Sequence, residues 1–134
     1  MDKNFRIFKQ VPRLIFGKNS INRIHELVPS FDINSEYVLI IYDIYFKENT
    51  PEILQEFDKE IIFFNSKESE PKTSQINDFR DDILKLRDNK TPKLIVAVGG
   101  GSSMDVGKSL STLFTNKKNA EDYQGWDLLE NKGI

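Results

Sequence analysis

"VAVGGGSSMDVGKS", residues 96–109, runs from an apolar stretch into three glycines and two serines. Beyond them Val106, Leu110, Leu113 and Phe114 repeat at the spacing of one helical face. The order is therefore strand, glycine turn, helix. Glycine tolerates positive φ and lets a ligand approach the backbone closely. Ser102 is placed to cap the helix, with Asp105 three residues on in a capping-box arrangement. The free N–H groups and the dipole at such a helix start make an anion site. The plain alternative is a tight strand-to-helix turn that holds nothing.

Two phosphate motifs are close, and neither fits. An ATPase loop needs four residues between its glycine and Gly-Lys-Ser/Thr. From Gly101 to Gly107 there are five, and Lys108 falls inside the helical stripe. The dinucleotide fingerprint counted from Gly99 requires glycine where Met104 stands.

Outward from this stretch the chain reads as alternating strands and helices. Residues 37–43, "YVLIIYD", are continuously apolar, as in a strand buried on both faces. Residues 60–65, "EIIFFN", and 93–98, "KLIVAV", read as two more buried strands. Ile76, Phe79, Ile83 and Leu86 mark an amphipathic helix, preceded by the polar loop "SKESEPKT". Pro51 in "TPEILQEF" is suited to a helix start. Near the amino end, "RLIFG" (13–17) reads as a short strand and "FRIFKQV" as its partner or an arm. Ile21, Ile24, Leu27 and Val28 share a helical face that Pro29 closes. After residue 119 the tail reads as loop. The pattern predicts an α/β fold: a three-layer, Rossmann-like parallel sheet with helices on both faces. Ligands of such sheets lie beyond the carboxyl ends of the strands, so Asp43, Asn65 and Gly99 are the ends that matter.

Composition narrows the function. The chain has 134 residues, one domain's worth, with 38% hydrophobic and 30% charged residues. Nineteen basic and twenty-one acidic residues leave a net charge of −2, which gives no field for nucleic acid or membrane. With no cysteine, disulfides, thiolate metal sites and thiol nucleophiles are excluded. His25 is the single histidine and reads as a rim or surface residue. "MDKNFRIFKQ" lacks the apolar run of a signal peptide, so a cytoplasmic location is expected. "DFRDDILKLRD" reads as a solvated charged face, the "YFKENT" aromatics as packing, and "YQGWD" as either a surface turn or a cover over a cleft.

The order Gly-Gly-Gly-Ser-x-x-Asp-x-x-Lys, Gly99 to Lys108, resembles the signature of the iron-containing (group III) alcohol dehydrogenases. "PRLIFGKNSI" resembles that family's opening strand and helix, and "VLIIYD" its second nucleotide-side strand. "FKQVPRLIFGKNS", "EPKTSQI" and "EDYQGWDL" are similar to its 3-deoxy-manno-octulosonate 8-oxidase branch, which acts on an acidic eight-carbon sugar. The resemblance implies that Gly100, Gly101 and Ser102 wrap a cofactor pyrophosphate, with Asp105 as the helix-start acid beside it. It implies that Asp43 hydrogen-bonds the adenosine ribose. A carboxylate there repels a 2′-phosphate, so among NAD(P) cofactors NAD is favoured. Glu70 stands where many members have Asn, in a loop reaching toward the nicotinamide; that departure agrees with the oxidase branch. Lys108 matches the motif lysine, on the helix surface.

Family members continue into a helical domain that supplies Asp and His ligands to Fe²⁺ or Zn²⁺. The expectation is therefore that residues 1–134 form the N-terminal dinucleotide-binding domain. The C-terminal metal-binding domain is then absent from this chain, which carries neither catalytic nor metal residues and is inactive alone. The implied function is the cofactor-binding half of a metal-dependent alcohol dehydrogenase or oxidase. Its substrate would be a primary alcohol of a small polar molecule or sugar acid, such as the 8-hydroxyl of 3-deoxy-manno-octulosonate, and its assembly a homodimer. The alternatives are a stand-alone nucleotide-binding or regulatory module without catalysis, and a dehydroquinate-synthase-like lyase.

Overall fold

The computed structural model describes residues 14–27 and 35–134. Three parallel strands, β1 (Val38–Asp43), β2 (Lys59–Phe64) and β3 (Leu94–Val98), form one sheet in the order β2-β1-β3. Tyr42 of β1 lies opposite Phe63 on one side and Val98 on the other. Helix α1 (Thr73–Leu86) connects β2 to β3, and α2 (Gly101–Leu113) follows β3. The fold is α/β and Rossmann-like.

β1 is the hydrophobic centre because it alone has a strand on each side; all six of its residues are buried. Its side chains alternate between faces. Leu39 and Ile41 pack with Ile62, Phe64, Ile76, Ile83, Val106, Leu110, Leu113 and Phe114, beneath α1 and α2. Val38, Ile40 and Tyr42 face the other way, onto Ile53, Leu54, Phe46 and Ile24. Passing from β1 to β2 and then back across to β3 reverses direction in the sheet. Right-handed crossovers then place the two connections on opposite faces. Both faces are thus covered, by α-helices on one and by short 3-10 helices (Ser20–Leu27 and Ile44–Phe46) and turns on the other.

Several local expectations are corrected. β3 is only partly buried and β2 is mixed, since both are edges of the described sheet and only β1 is buried on both faces. No helix follows Pro51. Ile53 N–H bonds the Pro51 carbonyl at 2.9 Å, Leu54 has φ +53°, and Phe57 N–H closes on the Leu54 carbonyl at 3.1 Å. Burying both adjacent residues Ile53 and Leu54 against β1 favours a turn over a one-sided helix. Residues 14–16 form no strand, because no described strand pairs with them, and Leu14 and Phe16 stand in solvent. Ile24 reaches the core, whereas Ile21 is exposed. The readings of residues 5–11, Val28 and Pro29 lie outside the described residues. In α1, Ile76 and Ile83 are buried as expected, but Leu86 is exposed. Arg80, in the stretch read as a solvated face, is buried and donates to the Lys118 carbonyl (2.7 Å) and Asn119 Oδ1 (3.0 Å). Among the described residues no helix is long and apolar enough to cross a membrane.

Candidate functional site

β1 and β3 are neighbours whose following segments leave over opposite faces of the sheet. Such a divergence opens a crevice beyond the strands' carboxyl ends. Asp43 ends one wall and the glycine turn after β3 forms the other. Gly99 has φ +155°, and a Cβ there would lie 2.7 Å from Ser103 Oγ and 2.9 Å from Asp43 Cβ. Only glycine lets the turn settle against Asp43 in this way.

The start of α2 is open. Gly100 is its N-cap, in extended conformation, and no side chain caps the helix. The first helical bond runs from Met104 N–H to the Gly100 carbonyl at 3.1 Å. The N–H groups before it have no intrahelical partner. A Cβ added at Gly100 or Gly101 would meet nothing within 4 Å. The backbone there is bare, donor-rich and at the positive end of the helix dipole, which is the chemistry of an anion cradle.

The expected capping box does not form. Because Gly100 takes the cap, Ser102 lies inside the first turn, and its Oγ lies 3.5 Å from Glu70 Oε2. Asp105 is a turn further on and exposed, with Oδ1 3.6 Å from Lys108 Nζ. Asp43, Glu70, Gly100, Gly101 and Ser102 thus gather at one end of the sheet, and Asp105 sits apart on the α2 surface. Lys108 is on that surface too, as expected.

Asp43 is 9% exposed. Its Oδ1 accepts from Tyr45 N–H at 2.9 Å, capping the Ile44–Phe46 turn, and its Oδ2 accepts a short hydrogen bond from Ser66 Oγ. The Ser66 bond, then the Tyr45 N–H, hold the carboxyl below the usual aspartate range against its burial. Ser103 is fully buried beside it. Its hydroxyl has no partner of normal hydrogen-bond geometry, although it is near enough to help stabilise the Asp43 anion. Asn65, at the end of β2, turns its own loop by accepting from Lys67 N–H at 3.2 Å. Ser66 and Ser103 are the site residues that sequence reasoning missed. The only signal for Ser66 is its place just past a strand end, and for Ser103 its place in the motif.

The remaining sequence candidates lie elsewhere. His25 Nδ1 is 3.2 Å from Glu56 Oε1, both half-exposed. Trp126 is 70% exposed in a turn flanked by Gly125 (φ +151°) and Asp127 (φ +57°), which is the surface-turn alternative. A cavity of about 400 Å³ lies along the carboxyl-terminal half of α2, lined by Ser109, Thr112, Tyr123 and Leu128 among others, away from the glycine turn. Among the described residues no three His, Asp or Glu side chains come together to hold a metal ion. Compared with known protein families, residues 12–133 match iron-containing alcohol dehydrogenase.

Proposed function

Because this chain belongs to the iron-containing alcohol dehydrogenase family, we propose that it is the dinucleotide-binding part of an alcohol-oxidising enzyme, with NAD as the preferred cofactor. The observation that carries this reading is the uncapped, glycine-lined start of α2 beside an ionised aspartate at the ends of β1 and β3. The open space at Gly100 and Gly101 fits a group that approaches the backbone closely.

In this reading the N–H groups at the start of α2, with Gly100, Gly101 and Ser102, receive the pyrophosphate. Asp43 accepts hydrogen bonds from the ribose hydroxyls and repels a 2′-phosphate. Glu70 borders the path toward the nicotinamide, and Asp105 contributes only distant charge. The dinucleotide, when bound, supplies the hydride acceptor. This chain contributes binding and orientation. The metal site belongs to a separate helical domain of the enzyme, holding Fe²⁺ or Zn²⁺. The substrate is a primary alcohol on a small polar molecule, and the stretch "EDYQGWDL", residues 121–128, supports the 8-hydroxyl of 3-deoxy-manno-octulosonate.

Gly101→Val tests the cradle. The added side chain meets no protein atom near its Cβ, and valine is no poorer a helix former than glycine, so the fold is expected to tolerate it. The same side chain projects into the proposed pyrophosphate space. Titration with NADH, followed by fluorescence, is expected to show affinity weakened roughly ten-fold or more, a loss of about 1.4 kcal/mol or more. Unchanged affinity in a folded variant would refute the cradle.

A further inference from the structure

We infer that Ser66 is a positioning residue that fixes the Asp43 carboxylate to receive the vicinal hydroxyls of a ribose; this rests on the assignment of Asp43 to that ribose. Asp43 and Phe64 are register partners at the carboxyl ends of adjacent parallel strands. Ser66 is two residues past that pair, so the neighbouring strand delivers its hydroxyl to the aspartate.

An aspartate's terminal torsion is broad, and a lone carboxylate at a strand end would sample many planes. Here each oxygen is taken by a donor from a different segment. Oδ1 receives Tyr45 N–H at 2.9 Å, and Oδ2 receives the Ser66 hydroxyl. Two donors on two oxygens define the plane of the group. An ionised carboxylate offers about four acceptor sites, so two donors leave sites for a diol. The Ser66 hydroxyl, donating its hydrogen bond to Asp43, keeps its own acceptor sites. The backbone of Gly99 packs close to the Asp43 Cβ, where an added methyl group would lie only 2.9 Å away. Tyr45 N–H is fixed by the backbone. Ser103 lies beside the carboxylate but makes no hydrogen bond of normal geometry, so among the described residues Ser66 is the side chain that bonds it.

The test compares dinucleotide affinities of the purified protein with Ser66→Ala, Ser66→Thr and Asp43→Asn, using NAD and its 2′-phosphorylated form. Ser66→Ala is expected to weaken NAD binding roughly five- to ten-fold, as for loss of one charge-assisted hydrogen bond, and to shrink the preference over the phosphorylated form. Ser66→Thr, which keeps the hydroxyl, is expected to restore both. If Asp43→Asn changes neither affinity nor preference, the ribose assignment fails and the inference falls with it. If Asp43→Asn weakens NAD but Ser66→Ala behaves as wild type, the inference alone is overturned. Equal weakening of both dinucleotides by Ser66→Ala, without rescue by threonine, would assign Ser66 to loop folding and overturn it as well.

Discussion

At Gly99 a single methyl group would collide with Ser103 and Asp43 and demand a backbone conformation that L-residues rarely adopt. Two residues on, at Gly101, the same methyl group would meet nothing within 4 Å. Gly99→Ala is expected to destabilise the protein by about 2–4 kcal/mol, from strain and overpacking together. Gly101→Ala is expected to stabilise it by about 0.5 kcal/mol, mainly by stiffening the unfolded chain. Urea unfolding of the two variants checks the pair; similar midpoints would mean that the turn is not held against Asp43 as described. The motif's glycines thus differ in setting: Gly99 is packed against Asp43 and Ser103, and Gly101 is open. The sequence reading assigned Gly100 and Gly101 to a pyrophosphate turn and Gly99 to a strand end, but could not show that Gly99 is held against Asp43. Ser66 and Ser103 were illegible for a related reason: their importance arises from neighbours brought in by the sheet and by α2, not from local pattern.

Among the elements, the sheet's two ends are built for different purposes. At the end opposite the glycine turn, the Arg87 guanidinium closing α1 forks onto Asp58 (2.5 and 2.7 Å) and reaches Glu60 (2.7 Å). It also lies 4.4 Å from the centre of the Tyr37 ring. A lysine has neither the planar fork nor the stacking face. Arg87→Lys is expected to cost about 1 kcal/mol, a modest figure because Asp58 is half-exposed, and to leave dinucleotide affinity unchanged. Thermal melts and binding titrations on the same samples check both parts, and weakened binding would contradict the separation of the two ends.

Burial pushes the Tyr37 phenol up to about 12 from its ordinary 10.0, with Arg87 opposing the rise. A raised folded pKa stabilises the fold fully below the unfolded value, and that contribution disappears as pH climbs through the folded one. Stability is thus expected to fall between pH 10 and about 12, less steeply in Tyr37→Phe. Unfolding measured across that window checks it; identical profiles would mean that Tyr37 titrates as an exposed phenol. β1, α1 and α2 were readable from sequence because each has an unbroken run or stripe of apolar residues. The segment after Pro51 was not, since Pro51 suits a helix start and only the facing surface of β1 decides that Ile53 and Leu54 turn inward together.

Over the described residues as a whole, the three parallel strands carry Asp43 and the glycine turn at their carboxyl ends and an ion-pair cluster at their amino ends. In the proposed function a dinucleotide binds at the carboxyl end, between Asp43 and the start of α2. The most direct measurement is a titration of the isotope-labelled protein with NAD, following backbone amide resonances by NMR. The account predicts that the largest shifts cluster at Asp43 to Phe46, at Ser66 to Glu70 and at Gly99 to Met104, while Tyr37, Asp58 and Arg87 stay unmoved. Shifts centred on the Tyr37–Arg87 end, or none at saturating NAD, would contradict it.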